Sequence, residues 1–199
     1  MNMFSGVFSL LLAILLFLPG CATEGLSKMK DGALELVGVS TSDAKKSPTT
    51  AKAIDLRIYA GRNLNADDRG RGMAVVLRFY RLKDPAAFMQ SSYDALADSR
   101  QEKSPLATDV VEVKELVVKP GQEILRSEML GDAAPYLGVV ALFRKPTADR
   151  WRLVFSGADA ENAKGIVLGV HECAMTVSQG VPFNAQLVNP GSLGGVLCH

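Results

Sequence analysis

The strongest constraint on the fold is a two-residue alternation that starts at Ile54. Ile54, Leu56 and Ile58 are separated by Asp55 and Arg57, and Val75, Leu77 and Phe79 recur at the same spacing against Arg78 and Tyr80. Successive side chains of an extended strand point to opposite faces, so each such run turns an apolar face to a core and its other face outward. Trp151, Leu153 and Phe155 repeat the pattern beside Arg150 and Arg152. Further strands are expected over Glu123–Met129, Leu137–Arg144, Trp151–Phe155 and Ile166–Val177. Val111 and Val113 share one phase while Leu116 and Val118 share the other, which predicts a β-bulge around Lys114-Glu115. Lys119-Pro120-Gly121-Gln122 fits a type II turn.

Helical spacing occurs once. Asp84 offers an N-cap, Pro85 suits the first helical position, and Phe88, Met89, Ser92, Tyr93 and Leu96 fall on one face. This predicts one short amphipathic helix laid on a sheet. Six to eight short strands with regular turns and one added helix define a mainly β chain, a two-sheet β-sandwich.

Ahead of this domain, Val7 to Leu18 is uncharged and apolar and ends at Pro19-Gly20. A helix of that length rises about 18 Å, well short of a roughly 30 Å hydrocarbon core, so the run suits a signal sequence better than a membrane span. Leu18-Pro19-Gly20-Cys21 resembles the lipobox of bacterial lipoproteins, although Met1 to Gly6 carry no basic residue and Pro19 is atypical there. The resemblance implies cleavage of a signal peptide over residues 1–20 and a covalent lipid on Cys21, the only non-protein group expected. Ala22, in place of aspartate, favours the outer membrane by the same resemblance. Residues 21–52, rich in Ser, Thr, Lys and Gly, read in part as a tether, and residues 53–199 as the periplasmic domain. A flexible stretch of about 30 residues reaches roughly 30 Å.

With Cys21 lipidated, Cys173 and Cys198 remain as an even pair in an oxidising compartment. A disulfide between them could stabilise the fold by roughly 3 kcal/mol; two free buried thiols are the alternative. His171-Glu172-Cys173 invites a thiol-enzyme or metal reading, with His171 and Cys173 on one face of a strand. Yet a nucleophile needs a positioned base with its own orienting partner, a metal needs more ligands, and His199 at the chain end cannot be assumed to approach. Core or surface roles are the stronger reading. Gly70-Arg71-Gly72 and Gly191-Ser192-Leu193-Gly194-Gly195 join no strand to a helix in the manner of a phosphate loop. The balance of 22 basic against 21 acidic residues gives no footprint for nucleic acid. No catalytic residue, metal, cofactor or small-molecule substrate is expected.

One loop stands out. Asn63, Leu64, Asn65, Ala66, Asp67, Asp68, Arg69, Gly70, Arg71 and Gly72 form a polar, turn-prone stretch between the first two strands. Hairpin loops usually have about two to five residues, and long loops on rigid sheets are common binding elements. A solvated loop that only maintains solubility is the plainer alternative.

Leu56-Arg57-Ile58-Tyr59-Ala60, Asn63-Leu64-Asn65 and Val75-Val76-Leu77-Arg78-Phe79-Tyr80-Arg81-Leu82-Lys83 resemble the outer-membrane lipoprotein of the type VI secretion system, the TssJ family. So do Phe88 with Ser92-Tyr93-Asp94-Ala95-Leu96, Lys119-Pro120-Gly121-Gln122, and Val139-Val140-Ala141-Leu142-Phe143-Arg144 ahead of Trp151-Arg152. The resemblance runs from about Ile54 to Val177. It implies a transthyretin-like sandwich without enzymatic activity, anchored to the periplasmic face of the outer membrane. It also implies a partner, the periplasmic C-terminal domain of an IcmF-type inner-membrane protein (TssM), contacted through the loop from Asn63 to Gly72. Asp67, Asp68, Arg69 and Arg71 are the candidate contact charges. An unrelated lipid-anchored sandwich that binds a small ligand or an envelope polymer is the competing reading.

Overall fold

A computed structural model describes residues 51–98, 105–184 and 187–198. The apolar leader, Cys21, the expected tether up to residue 50, and His199 lie outside the described residues. The strands are β1 (Lys52–Ala60), β2 (Val75–Leu82), β3 (Val110–Val118), β4 (Glu123–Leu130), β5 (Tyr136–Ala141), β6 (Arg152–Ser156), β7 (Ile166–Val170) and β8 (Met175–Gln179). They form two four-stranded sheets, ordered β4-β1-β7-β8 and β3-β2-β5-β6. Every pairing is antiparallel except β1 with β7.

Period-two patterning builds the core between these sheets. Ile54, Leu56 and Ile58 are at most 1% exposed, as are Leu77 and Phe79 from the facing sheet. Burying each such side chain contributes roughly 1.5–3 kcal/mol. The intervening Asp55, Arg57 and Tyr59 face solvent.

The other face of β2 is also buried, because helices cover it. Phe88 packs on Tyr80 with ring centroids 5.2 Å apart. Its ring tip also presses on Gly138, where an added Cβ would meet Cζ at 2.8 Å. Arg78 donates to the Leu96 and Ala97 carbonyls at 2.7 and 3.0 Å and pairs with Glu115 at 2.6 Å. The cover is two helices rather than the single one expected, α1 (Ala86–Gln90) and α2 (Tyr93–Ala97). Ser91 and Ser92 adopt extended backbone between them, and the Ser92 hydroxyl accepts the Ala95 N–H at 3.2 Å. A serine that caps a new helix competes with continuation of the old one. At the other end the cap position falls on Pro85, one residue later than expected, and Asp84 just before it accepts the Ala86 N–H at 2.7 Å.

Two further expectations need correction. β3 keeps a single phase: Val111 and Val113 face outward at 40% and 39% exposure, while Val118 is buried. The irregularity lies between Arg81 and Leu82, opposite Glu112 and Val110, which leaves Val111 as the extra residue. At this sheet edge charged side chains take the core-facing phase because partners meet them: Arg81 pairs with Glu112 at 2.9 Å, and the exposed Lys114 reaches the buried Glu128 at 3.2 Å. The apolar run Ile166–Val177 is two strands, β7 and β8. They are joined by a turn in which the His171 N–H donates to the Ala174 carbonyl at 3.0 Å.

Candidate functional site

Four connections meet at one end of the sandwich: β1–β2, β3–β4, β5–β6 and β7–β8. The expected loop from Asn63 to Gly72 lies there, and its base is built into the fold. Leu64 is completely buried. Its carbonyl accepts the Met73 N–H at 2.7 Å, while the Gly61 N–H donates to Val170 at 2.8 Å. Gly72 passes so close to the Arg62 carbonyl that an added Cβ would sit 2.2 Å from that oxygen.

Asn65 is the central brace. Its φ of 47° places it in the left-handed region, which asparagine tolerates better than most residues. Its amide donates to the Ala74 carbonyl at 2.8 Å, and its side-chain oxygen accepts the Arg144 N–H at 2.8 Å. Its backbone N–H reaches the His171 carbonyl at 3.1 Å. One side chain thus ties both arms of the loop to the β5–β6 connection. Asn63 adds a 3.3 Å bond to Glu172 on the β7–β8 turn.

The tip closes on itself. Asp67 Oδ1 accepts the Arg69 and Arg71 N–H groups at 2.9 Å each, and Oδ2 faces Arg71 Nε and Nη2 at 2.8 and 2.7 Å. The Arg71 backbone N–H first, and its side chain second, hold the Asp67 carboxyl below the usual carboxylate range. Asp68 is likewise lowered, chiefly by the hydrogen bond and charge of Lys145 at 2.8 Å, with Arg144 3.9 Å away. Arg69 and Arg62 are exposed, and neither guanidinium has a hydrogen-bond or ion-pair partner among the described residues. The four candidate charges therefore differ. Asp67 and Arg71 shape the tip, Asp68 is matched across the loops, and Arg69 points to solvent unopposed.

Sequence reasoning did not identify Arg144 and Lys145 as neighbours of this loop. The basic doublet after β5 was the one available signal, and nothing local ties it to Asp68. His171 and Cys173 sit on the β7–β8 turn, not on a strand. The His171 ring rests beside Thr176 Oγ1 at 3.0 Å, and burial lowers its pKa. Cys173 is bonded to Cys198 with Cα atoms 5.6 Å apart, so no thiolate is available at that position. Among the described residues, no three His, Cys, Asp or Glu side chains converge as a metal cluster. A separate open groove of about 530 Å³ lies between α1 and Phe183 and is lined by Met89, Tyr136 and Arg152.

The family model for type VI secretion lipoproteins (VasD, EvfM, TssJ) matches residues 52–173, from the start of β1 to the first disulfide cysteine. The chain belongs to this family. The crystal structure of the T6SS lipoprotein TssJ1 from Pseudomonas aeruginosa is similar at 27% identity and a TM-score of 0.57, over 66% of this chain and 98% of that one. A chain of a type VI membrane complex is similar at 30% identity and a TM-score of 0.56, over 64% and 98%. A chain in the structure of the T6SS protein TssM C-terminal domain from EAEC matches at 27% identity and a TM-score of 0.53, over 63% and 97%. The comparison with curated proteins yields no match. The TssJ-family sandwich here thus carries its β1–β2 loop on a fold shared with these structures.

Proposed function

We propose that this TssJ-family lipoprotein is held by lipid on Cys21 at the periplasmic face of the outer membrane and acts as a structural anchor without enzymatic activity. In this reading it docks the periplasmic C-terminal domain of an IcmF-type inner-membrane protein (TssM) through the tip of its β1–β2 loop. The observation that carries the proposal is the contrast within that loop: Leu64 and Asn65 are locked into the fold, while Asp68, Arg69 and Arg71 are exposed. A loop ordered before contact loses less conformational freedom on binding. Similarity to chains in a type VI membrane complex and in a TssM C-terminal domain structure supports the same partner.

The test replaces Asp67–Arg71 with a Gly/Ser linker in the full-length chain, leaving the buried Asn65 brace in place. The variant should keep its circular dichroism and its membrane fractionation yet lose co-purification with the TssM-type periplasmic domain. Undiminished co-purification refutes the loop as the contact. In parallel, Cys21→Ser should move the protein to the soluble periplasmic fraction and leave partner binding in vitro intact; retention in the outer membrane would remove the lipid from the mechanism.

A further inference from the structure

The charges of the domain are sorted by end. At the loop end Arg62, Arg69, Arg71, Lys119, Arg144 and Lys145 are all exposed. The Lys119 turn belongs to this end, because the Gly121 N–H donates to the Gly61 carbonyl at 3.3 Å. Four carboxylates lie on the loops, and three are engaged: Asp67 with Arg71, Asp68 with Lys145 and Glu172 with Asn63, while Asp149 on the β5–β6 connection is exposed. Nearby, Glu123 on the sheet face meets Arg57 at 4.0 Å, and Asp149 shares the groove beside α1 with Arg152. Arg62, Arg69 and Lys119 therefore remain as cations with no carboxylate partner among the described residues.

The opposite end has the reverse balance. Among the described residues, Lys52, Lys83 and Lys164 stand there against Asp84, Asp109, Asp132, Asp159 and Glu161. The chain from Cys21 enters at this acidic end, at Lys52. The nine residues of β1 separate it from the loop by about 30 Å. That distance exceeds the screening length of roughly 8 Å at physiological salt, so the two ends act as separate electrostatic surfaces.

We infer that the loop end is a basic docking pole that takes an acidic protein surface, with Arg62, Arg69 and Lys119 as its unopposed cations. This rests on the reading of the β1–β2 loop as the partner contact and adds the chemistry of what it meets. Exposed cations outnumber the loop carboxylates, most of which are already engaged, so the field presented outward is positive despite a formal net charge of only +1. Such a pole accelerates encounter with a negative patch and sets its orientation. An acidic entry end, meanwhile, disfavours docking the same partner surface the wrong way round.

The experiment measures association of the detergent-solubilised full-length lipoprotein with the TssM-type periplasmic domain over a salt series. The wild-type on-rate should fall steeply with ionic strength. The triple variant Arg62→Glu, Arg69→Glu, Lys119→Glu should associate about tenfold or more slowly at low salt and lose that dependence. Lys52→Glu with Lys83→Glu, at the far end, should leave the rate unchanged. A wild-type rate independent of salt, or a triple variant as fast as wild type, overturns the inference. If the Gly/Ser tip variant fails to bind while the triple variant binds normally, the loop reading stands and the charge inference falls; if both bind normally, both fall. A last arm mixes the full-length Cys21→Ser protein with vesicles of phosphatidylcholine and anionic phosphatidylglycerol. Retention that the triple variant loses, with no change in partner on-rate, would reassign the pole to lipid headgroups.

Discussion

The base and the tip of the β1–β2 loop are neighbours in sequence and opposites in construction. Leu64 and Asn65 are 0% and 5% exposed and bonded to three other segments, whereas Arg69, a few residues on, is exposed with an unopposed guanidinium. Within one polar stretch, the residues that look least functional hold the shape and the charges divide between shaping and display. The difference separates what a substitution does to stability from what it does to binding.

Breaking the base should cost most. Leu64→Ala removes a fully buried side chain and should destabilise the domain by about 3 kcal/mol, read by urea denaturation. A loss below about 1 kcal/mol would mean that the base relaxes without penalty and that the contrast with the tip is false. Asn65→Ala comes next, at about 1–3 kcal/mol, because the Ala74 carbonyl and the Arg144 N–H both lose their partner. Asn65→Gly keeps the left-handed backbone accessible and so should be milder; equal losses in the two variants would put the whole effect on the hydrogen bonds.

The smallest effect is at the tip and depends on pH. The fold lowers the Asp67 pKa, so its contribution is present above the unfolded carboxylate value and fades as pH falls through the depressed one. Carboxyl NMR should find Asp67 titrating below an ordinary aspartate. In Arg71→Ala the midpoint should rise only partway, because the backbone N–H at that position, the larger cause, survives. A full return to the ordinary value would assign the shift to the guanidinium instead.

The strands β1 and β2 were legible because one residue in two meets the core, and Asp84 announced a helix start through its side chain. The break at Ser91-Ser92 was not, since serine fits both a helix surface and a cap, and only Ala95 decides between them. The turn at His171–Ala174 carries neither glycine nor proline, and His171-Glu172 alone interrupts the apolar run there, so two strands read as one. The phase of β3 misled because Val111 and Val113 resemble core residues, while Lys114 takes the core-facing phase only because Glu128 on another strand meets it. The loop was visible as a loop. Its division into base and tip was hidden, because the partner of Asn65 lies 79 residues away at Arg144.

The position of β1 has a mechanical consequence. The N-terminal segment joins β1 at Lys52, and the loop leaves after Ala60, so the proposed anchor and the proposed contact attach to opposite ends of one strand. A pull between them runs along the covalent backbone of β1, with no hydrogen-bonded ladder in series. β4 and β7 flank that strand, and the bonds Ala60 N–H to Gln122 and Gly61 N–H to Val170 fasten its far end. The remainder of the sandwich then serves as a collar that keeps the loop in shape while tension passes through the middle.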